Sequence, residues 1–429
     1  MFGLFSSNER KMRENAENWL QLADKIFNYR RDQLTGAQIQ DLRQKCADLR
    51  FKLKQKADAG KLKLGIESLE GVLKQVGGTF YPKSSIVENV EFFMVAAIIV
   101  LGIRTYFIQP FKIPTNSMWP SYYGMTPQVF KQPADEPGAL ATAIRFAAFG
   151  ARPHRLDAPA GGEVLIPIGG AENRGLVHCR IVDGHSWLIF PTKVREYTLL
   201  VGDDPVTVRV PLDFDFDWLV FDAFFSHGDS YSGEAFVSEI RRKIAAGDVE
   251  THVVDGEAVR CIRTGRRVEA GTRVLAFDVL TGDQLFVDRL SYHFVRPPIG
   301  SGFVFRTGNI PGIAETNGDQ YYVKRLVGQP GDTLEIKGYR LYRNGRPITG
   351  TAAFEKNARR QEDYVGYRNV GALALGETMT VPPHSFLALG DNSANSADGR
   401  YWGFVPEMDV IGRPLFIYYP FTRRWGPAR

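Results

Sequence analysis

Phe92-Phe93-Met94-Val95-Ala96-Ala97-Ile98-Ile99-Val100-Leu101-Gly102-Ile103 runs past Arg104 into Gln109-Pro110-Phe111-Lys112-Ile113-Pro114-Thr115-Asn116-Ser117-Met118-Trp119-Pro120. An apolar segment delivers the chain to a loop pinned between Pro114 and Pro120, with Ser117 inside it. The uncharged run itself is shorter than the ~20 residues of a bilayer span. Extended to 85–111 it gains Ile86, Val87, Val90, Tyr106, Phe107 and Ile108. Glu88, Glu91 and Arg104 then fall towards its ends, where charged side chains reach the interface. The segment therefore predicts a membrane anchor over 85–111. Pro110 is expected to close its helix, with Tyr106 and Phe107 in an interfacial aromatic belt. A cleaved leader is not expected, because the run begins only at residue 92 and no small-x-small site follows.

Composition bounds the rest. The 429 residues suffice for two or three domains, and 44% hydrophobic with 24% charged residues is globular rather than disordered. A mean hydropathy of -0.20 excludes a polytopic membrane protein but admits one span. Residues 1–84 hold 16 Lys and Arg against 10 Asp and Glu, and the remaining chain is close to neutral. That asymmetry predicts a cytoplasmic N-terminus, although only Lys83 lies near the span. A nucleic-acid-binding arm is the competing reading. The basic residues are mixed with acidic ones and carry no binding motif, so no nucleic-acid partner is expected. Cys46, Cys179 and Cys261 form no C-x-x-C pair. Cys179 and Cys261 are either a disulfide outside the cytoplasm or two separate buried thiols.

Residues 8–75 read as helical. Trp19, Leu20, Leu22, Ala23, Ile26 and Phe27 share one face, and Ile39, Leu42, Cys46, Leu49 and Leu53 continue it after a turn at 32–36. A helical hairpin or short coiled coil is expected, its apolar stripe a packing face. Beyond residue 120 alternating apolar residues, Gly and Pro predict strands at 163–168, 177–182, 206–210, 213–220, 251–254, 285–287, 303–305, 321–327 and 333–336. Asp255-Gly256 marks a hairpin turn. One helix stands out there, at 234–245.

Several catalytic templates are absent: H-E-x-x-H, the P-loop, S-x-x-K at Ser117 and a complete G-x-S-x-G. The nearest miss, Gly228-Asp229-Ser230-Tyr231-Ser232 beside His227, reads as a polar loop. Neither a metal nor a cofactor is expected. A serine hydroxyl is a weak nucleophile until a base takes its proton. The candidate base is Lys324, which on a strand shares a face with Tyr322 and Leu326. Apolar flanks desolvate its amine and favour the neutral form. Arg325 is expected to point the other way, to solvent or an acidic partner. A third constellation, the 390–406 loop, is dense in polar residues and ends in an aromatic anchor.

Ile113-Pro114-Thr115-Asn116-Ser117-Met118-x-Pro120 resembles the serine box of type I signal peptidases. Lys324-Arg325-Leu326-Val327-Gly328-x-Pro330-Gly331-Asp332 resembles their lysine box. Gly390-Asp391-Asn392-x-x-Asn395-Ser396-x-Asp398-x-Arg400-Tyr401-Trp402-Gly403-Phe404-Val405-Pro406 resembles their C-terminal box, and Gly282-Asp283-x-Leu285-x-Val287-Asp288-Arg289 also fits. The resemblance covers about 88–124 and 280–420. It implies a mainly β catalytic region of signal-peptidase-like antiparallel sheets, with an N-terminal helical region and one transmembrane helix. The implied division is a cytoplasmic helical region (1–84), an anchor (85–111), a catalytic β domain (112–124 and 280–429) and a β-rich insertion of unknown role (125–279).

The resemblance also implies roles. Ser117 attacks the scissile carbonyl and Lys324 is the general base. Ser396 hydrogen-bonds the lysine amine. The Ser117 N–H and the Thr115 hydroxyl form the oxyanion hole. Asp398 and Arg400 pair to brace the site, Tyr322 lines the pocket, and Met118 contributes apolar substrate surface. The implied substrates are exported preproteins with small residues at the first and third positions before the cut. Membrane lipid and the secretion machinery are implied contacts, at the outer face of a bacterial-type inner membrane. A related Ser-Lys regulatory peptidase and a non-catalytic tethered scaffold are the rival readings. Asn116 stands where glycine is usual, Thr115 where serine is common, Ser393-Ala394 replaces a charged pair and Gly399 a serine. Those departures touch the outer loop contacts, and the 125–279 insertion has no counterpart.

Overall fold

Three helices, Gly3–Arg30, Gly36–Lys54 and Ala59–Val76, bury Leu20, Ala23, Ile26, Leu42, Leu49, Leu62, Leu69 and Leu73 between them. The computed structural model describes residues 3–81, 85–169, 176–186, 190–226 and 231–428. Lys83 and the 227–230 stretch with His227 and Ser230 lie outside them. Sequence periodicity predicted a hairpin or a short coiled coil, and the structure has a third helix because Asp58 stops and restarts the chain. Its side chain caps the Lys61 N–H, as Thr35 and Gln38 form a capping box for the second helix.

The chain divides into two units, Met1–Leu101 and Gly102–Arg429. The helix Ser85–Tyr106 contains a 21-residue stretch, Ile86–Tyr106, of mean hydropathy 2.2 and with none of its apolar window buried. At 1.5 Å per residue it is about 31 Å long, matching a hydrocarbon core of ~30 Å. Among the described residues it is the one helix long and apolar enough to cross a membrane. It ends at Tyr106, so Pro110 does not close it. Pro110 instead sits within the strand Ile108–Lys112, opposite Phe286. That strand lies on a sheet edge, where a proline's missing N–H costs no ladder bond.

The second unit is mostly antiparallel sheet. The site sheet runs Ile108–Lys112, Gln284–Asp288, Val410–Tyr419, Gly302–Arg306, Tyr321–Gly328, Ser385–Leu389 and Val405–Pro406, in that spatial order. Ile113, Met118, Tyr122, Leu285, Val287 and Val304 pack on it beneath the serine loop. A second sheet of Thr333–Lys337, Arg340–Arg343, Arg346–Pro347 and Thr378–Thr380 buries Leu334, Ile336 and Leu341 against Val327 and Leu389.

The insertion leaves this framework at Thr126–Val129 and returns at Arg273–Leu280, and the returning strand lies between Thr126–Val129 and Arg152–Asp157, pairing with both. Its main sheet is built from Gly162–Ile168, Cys179–Ser186, Phe190–Val201, Asp204–Pro211, Val249–Val254 and Glu257–Val268. Phe214, Phe216, Phe221, Phe225 and Phe236 fill the space beside it. The hairpin turn is as predicted, with Asp255 and Gly256 at φ 52° and 86°. So is the helix Gly233–Ala245, capped by Ser232.

The strand expected at 213–220 is not formed. Phe216–Val220 is a helical turn, because Asp215 caps the Trp218 N–H. Phe214, Phe216, Leu219 and Val220 suit either period, and the cap decides between them. Ala139–Phe149 is a helix that sequence reading missed. It has no buried residue and is tied down by Arg145, which bonds the buried Asp278 at 2.8 and 3.0 Å. Cys179 and Cys261 are both buried thiols, in separate clusters.

Two close backbone approaches fix where the serine loop lies. A Cβ on Gly282 would stand 1.9 Å from the Ile113 carbonyl oxygen, and one on Gly124 would stand 2.2 Å from the Thr115 carbonyl carbon. Gly282→Ala is therefore expected to cost about 2–3 kcal/mol, the upper range for overpacking, because the obstacle is backbone. Urea unfolding of the purified variant checks this, and a loss under ~0.5 kcal/mol contradicts it.

Candidate active site

Ser117 sits in the middle of a single helical turn, Asn116–Met118, entered from an extended Thr115. Asn116, standing where a glycine was expected, earns its place by side-chain bonding. Its amide donates to the Met125 carbonyl at 2.8 Å and its oxygen accepts the Gly124 N–H at 3.0 Å. The two bonds close the loop that carries Ser117. From the opposite side the Asn392 N–H donates to the Ser117 carbonyl at 3.1 Å, and the Asn392 amide donates to the Asn116 carbonyl at 3.1 Å. Gly390 allows that approach, since a Cβ there would lie 2.4 Å from the Ser117 carbonyl oxygen.

Lys324 comes from the middle of the Tyr321–Gly328 strand, opposite Phe303. Its Nζ lies 2.5 Å from Ser117 Oγ, across 207 residues of sequence. Lys324 is 3% exposed. Burial pushes its amine from the ordinary 10.5 down to about 8; Asp398 acts against that shift and Arg400 with it. Tyr322, two residues earlier on the same face, places its ring 5.7 Å from Nζ.

Two buried ion pairs flank the lysine. Arg325 grips Asp391 with a two-pronged guanidinium at 2.7 and 2.5 Å and also donates to the Gly300 carbonyl. The acidic partner expected for Arg325 is thus Asp391, and the solvent alternative is excluded by 1% exposure. Ser121 donates to Asp391 at 2.5 Å, a contact nothing in the sequence reading anticipated. Arg400 pairs with Asp398 at 2.8 Å, as predicted, both side chains being fully buried. Asp398 also accepts the Gly390 N–H, and Ser393 Oγ accepts from Arg400 at 2.6 Å. Ser393 therefore maintains the loop contact that its departure from the family pattern put in question.

Three expectations need correction or placement. Ser396 is buried beside Gly390, but its Oγ has no hydrogen-bond partner among the described residues and does not reach the Lys324 amine. Met118 is 1% exposed and packs in the core with Ile113 and Tyr122, so it offers no substrate surface; the side chain after Ser117 points inward because the turn does. Thr115 is exposed, its hydroxyl does not cap the turn, and it lines with Ser117 the wall of a cleft of about 760 Å³.

The site's chemistry is that of a hydroxyl in contact with a desolvated amine, and the comparisons with known proteins bear on it directly. Residues 272–419 match the family described as "Signal peptidase, peptidase S26". That segment, about a third of the chain, is what is similar to signal peptidases. "Probable signal peptidase I-1" of Synechocystis sp. is 32% identical over 148 residues, 34% of this chain and 66% of that protein. "Signal peptidase I" of Leptolyngbya laminosa is 33% identical over 141 residues, 33% of this chain and 62% of that protein. The chain thus spans just under two thirds of these relatives' lengths. "Inactive signal peptidase IA" of Staphylococcus aureus is 29% identical over 142 residues, 33% of this chain and 72% of that protein. The crystal structure of a signal peptidase I from Enterococcus faecalis is 28% identical and covers 28% of this chain and 97% of its own, at a TM-score of 0.20.

The matched segment depends on its buried pairs being kept whole. Asp391→Ala leaves the Arg325 guanidinium buried and uncompensated and is expected to cost about 3–5 kcal/mol. The double variant Arg325→Met/Asp391→Leu removes both charges and should recover most of that loss. Chemical denaturation of the three proteins checks the order, and a double variant no more stable than Asp391→Ala contradicts it.

Proposed function

We propose that the chain is a membrane-anchored serine endopeptidase that removes signal peptides from exported preproteins with a Ser117–Lys324 dyad. The observation that carries this reading is the 2.5 Å contact between Ser117 Oγ and a buried Lys324 Nζ whose pKa is lowered to about 8. In this reaction neutral Lys324 takes the Ser117 proton as Oγ adds to the scissile carbonyl carbon. The Ser117 N–H and the Thr115 hydroxyl donate to the oxyanion that forms. Lys324 then returns the proton to the leaving amine, and a water activated by the same amine releases the acyl group. Asp398, Arg400 and Asn392 hold these atoms in place without reacting. Tyr322 covers the amine and Ser396 stands behind the Ser117 carbonyl.

The Ile86–Tyr106 helix supports a single-pass anchor, with the basic 1–84 region on the cytoplasmic side and the catalytic unit on the outer face of the inner membrane. Preproteins are the substrates, and contact with lipid and the secretion machinery follows from where they emerge. The relative named inactive gives the non-catalytic reading its one support. A cleavage assay of full-length protein in detergent with a preprotein separates the two. Ser117→Ala and Lys324→Ala are each expected to lose about 10³-fold or more in rate. Wild type cutting no faster than either variant ends the enzymatic reading.

The pH dependence has a definite sign. The base form is deprotonated Lys324, so kcat/KM should rise with pH and be half-maximal near pH 8. Lys324→Arg keeps a proton at every accessible pH and should be inactive throughout. A flat profile from pH 6 to 10 in the wild type would remove lysine from the base role.

A further inference from the structure

The cleft that reaches Ser117 is walled mainly by the insertion. Thr115, Asn116 and Ser117 form one side, and Ala394 and Asn395 contribute an edge. All the rest comes from 176–241, a part of the 125–279 insertion that lies outside the family match. This wall is fastened to both catalytic loops. Asn395 donates to Asp215 at 3.0 Å, Trp218 meets Trp119 edge-on at 4.9 Å, and Glu234 pairs with Arg368 at 2.8 Å. A loosely tolerated surface insertion would not be joined to the serine loop and the 390–406 loop at once.

The lining says what the cleft takes. It carries Arg195, Asp213, Asp215, Asp217, Glu234 and Arg241. Asp215 and Asp217 are occupied: the first caps a helical turn, and the second accepts the Leu176 and Val177 N–H groups at 2.7 and 3.1 Å. Asp213 and Arg241 are exposed, and Arg195 Nε is buried with no hydrogen-bond partner among the described residues. Leu176, Leu212 and Val237 add some apolar surface, but an apolar segment laid here would strip water from these charges without pairing them. An extended polar segment supplies carbonyls to Arg195 and Arg241 and N–H groups to Asp213. The volume of about 760 Å³ suits a few residues of chain.

We propose that the insertion forms a binding cleft for the polar residues that follow the scissile bond, so that it reads the start of the mature protein. The proposal rests on the peptidase reading above. Two synthetic substrates share one leader sequence; one stops about two residues after the cut and the other continues with about eight polar residues. Wild type should cut the longer one with kcat/KM about tenfold higher or more, chiefly through KM. Arg241→Glu and Asp213→Lys, both at exposed positions, should bring that ratio towards one. A wild-type ratio near one, or a ratio unchanged in both variants, overturns the proposal while leaving the peptidase intact. A gain from extending the leader side instead overturns it as well. Failure of wild type to cut either peptide, or equal cutting by Ser117→Ala, overturns the peptidase reading and this one with it.

Discussion

Keeping the pKa of one buried amine low inside a sheet is the constraint on which the rest of this unit depends. Moving the Lys324 pKa from 10.5 to about 8 corresponds to about 3 kcal/mol of unfavourable burial. The folded protein binds fewer protons there than the unfolded chain between pH 8 and 10.5, so stability rises with pH across that window. Below pH 8 the penalty is present in full. The surroundings offset it only in part. Asp391 is spent on Arg325 and Asp398 on Arg400, and each buried pair is close to neutral seen from the lysine. Desolvation is left as the dominant influence. An unpaired carboxylate in either place would pull the amine back towards its ordinary pKa.

The hydroxyl must then be brought to that amine, and this is done with backbone contacts rather than apolar packing alone. Gly124, Gly282 and Gly390 let three stretches of main chain close on the serine loop. Asn116 and Asn392 lock it by four hydrogen bonds. Met118 turns inward as its apolar anchor. The strand Ile108–Lys112, registered on Gln284–Asp288, sets the starting point of the loop. A helix closed at Pro110 would have left Ser117 without that reference.

Much of this was legible in the sequence, for identifiable reasons. Lys324, Tyr322 and Leu326 share a face because a strand has period two, whereas the Asp398–Arg400 pair was implied only by the family resemblance of the 390–406 loop. Where the chain offered two periods at once, the reading went astray. Residues 213–220 fit helix and strand alike until the Asp215 cap is considered, and Ala139–Phe149, which buries no residue, was missed between two Gly- and Pro-rich stretches. The resemblance named Ser396 and Met118 from position alone. Their side-chain directions depend on local turns, and in this structure Ser396 makes no bond to Lys324 while Met118 is core. The helical region was read as a hairpin or a short coiled coil because Asp58 looks like any surface acid until it caps.

Family and activity separate cleanly in this chain. The matched segment, 272–419, contains Lys324 and the 390–406 loop but not Ser117. A relative whose name begins with "Inactive" matches at an identity close to that of relatives without that word. Likeness over that segment therefore cannot by itself carry the chemistry. The proposed chemistry rests instead on a serine outside the segment that contacts from inside it hold at hydrogen-bond distance from Lys324, through Asn392 and Gly390. The 125–279 insertion lies between the two halves in sequence, yet its own first and last strands pair with each other. The excursion thus returns the chain to where it left, and the distance in sequence between Ser117 and Lys324 adds little in space. Evolution of so large an excursion at that point is cheap for the dyad, because loop closure grows only slowly with length. Its position beside Ser117 also gives it direct access to whatever approaches the hydroxyl.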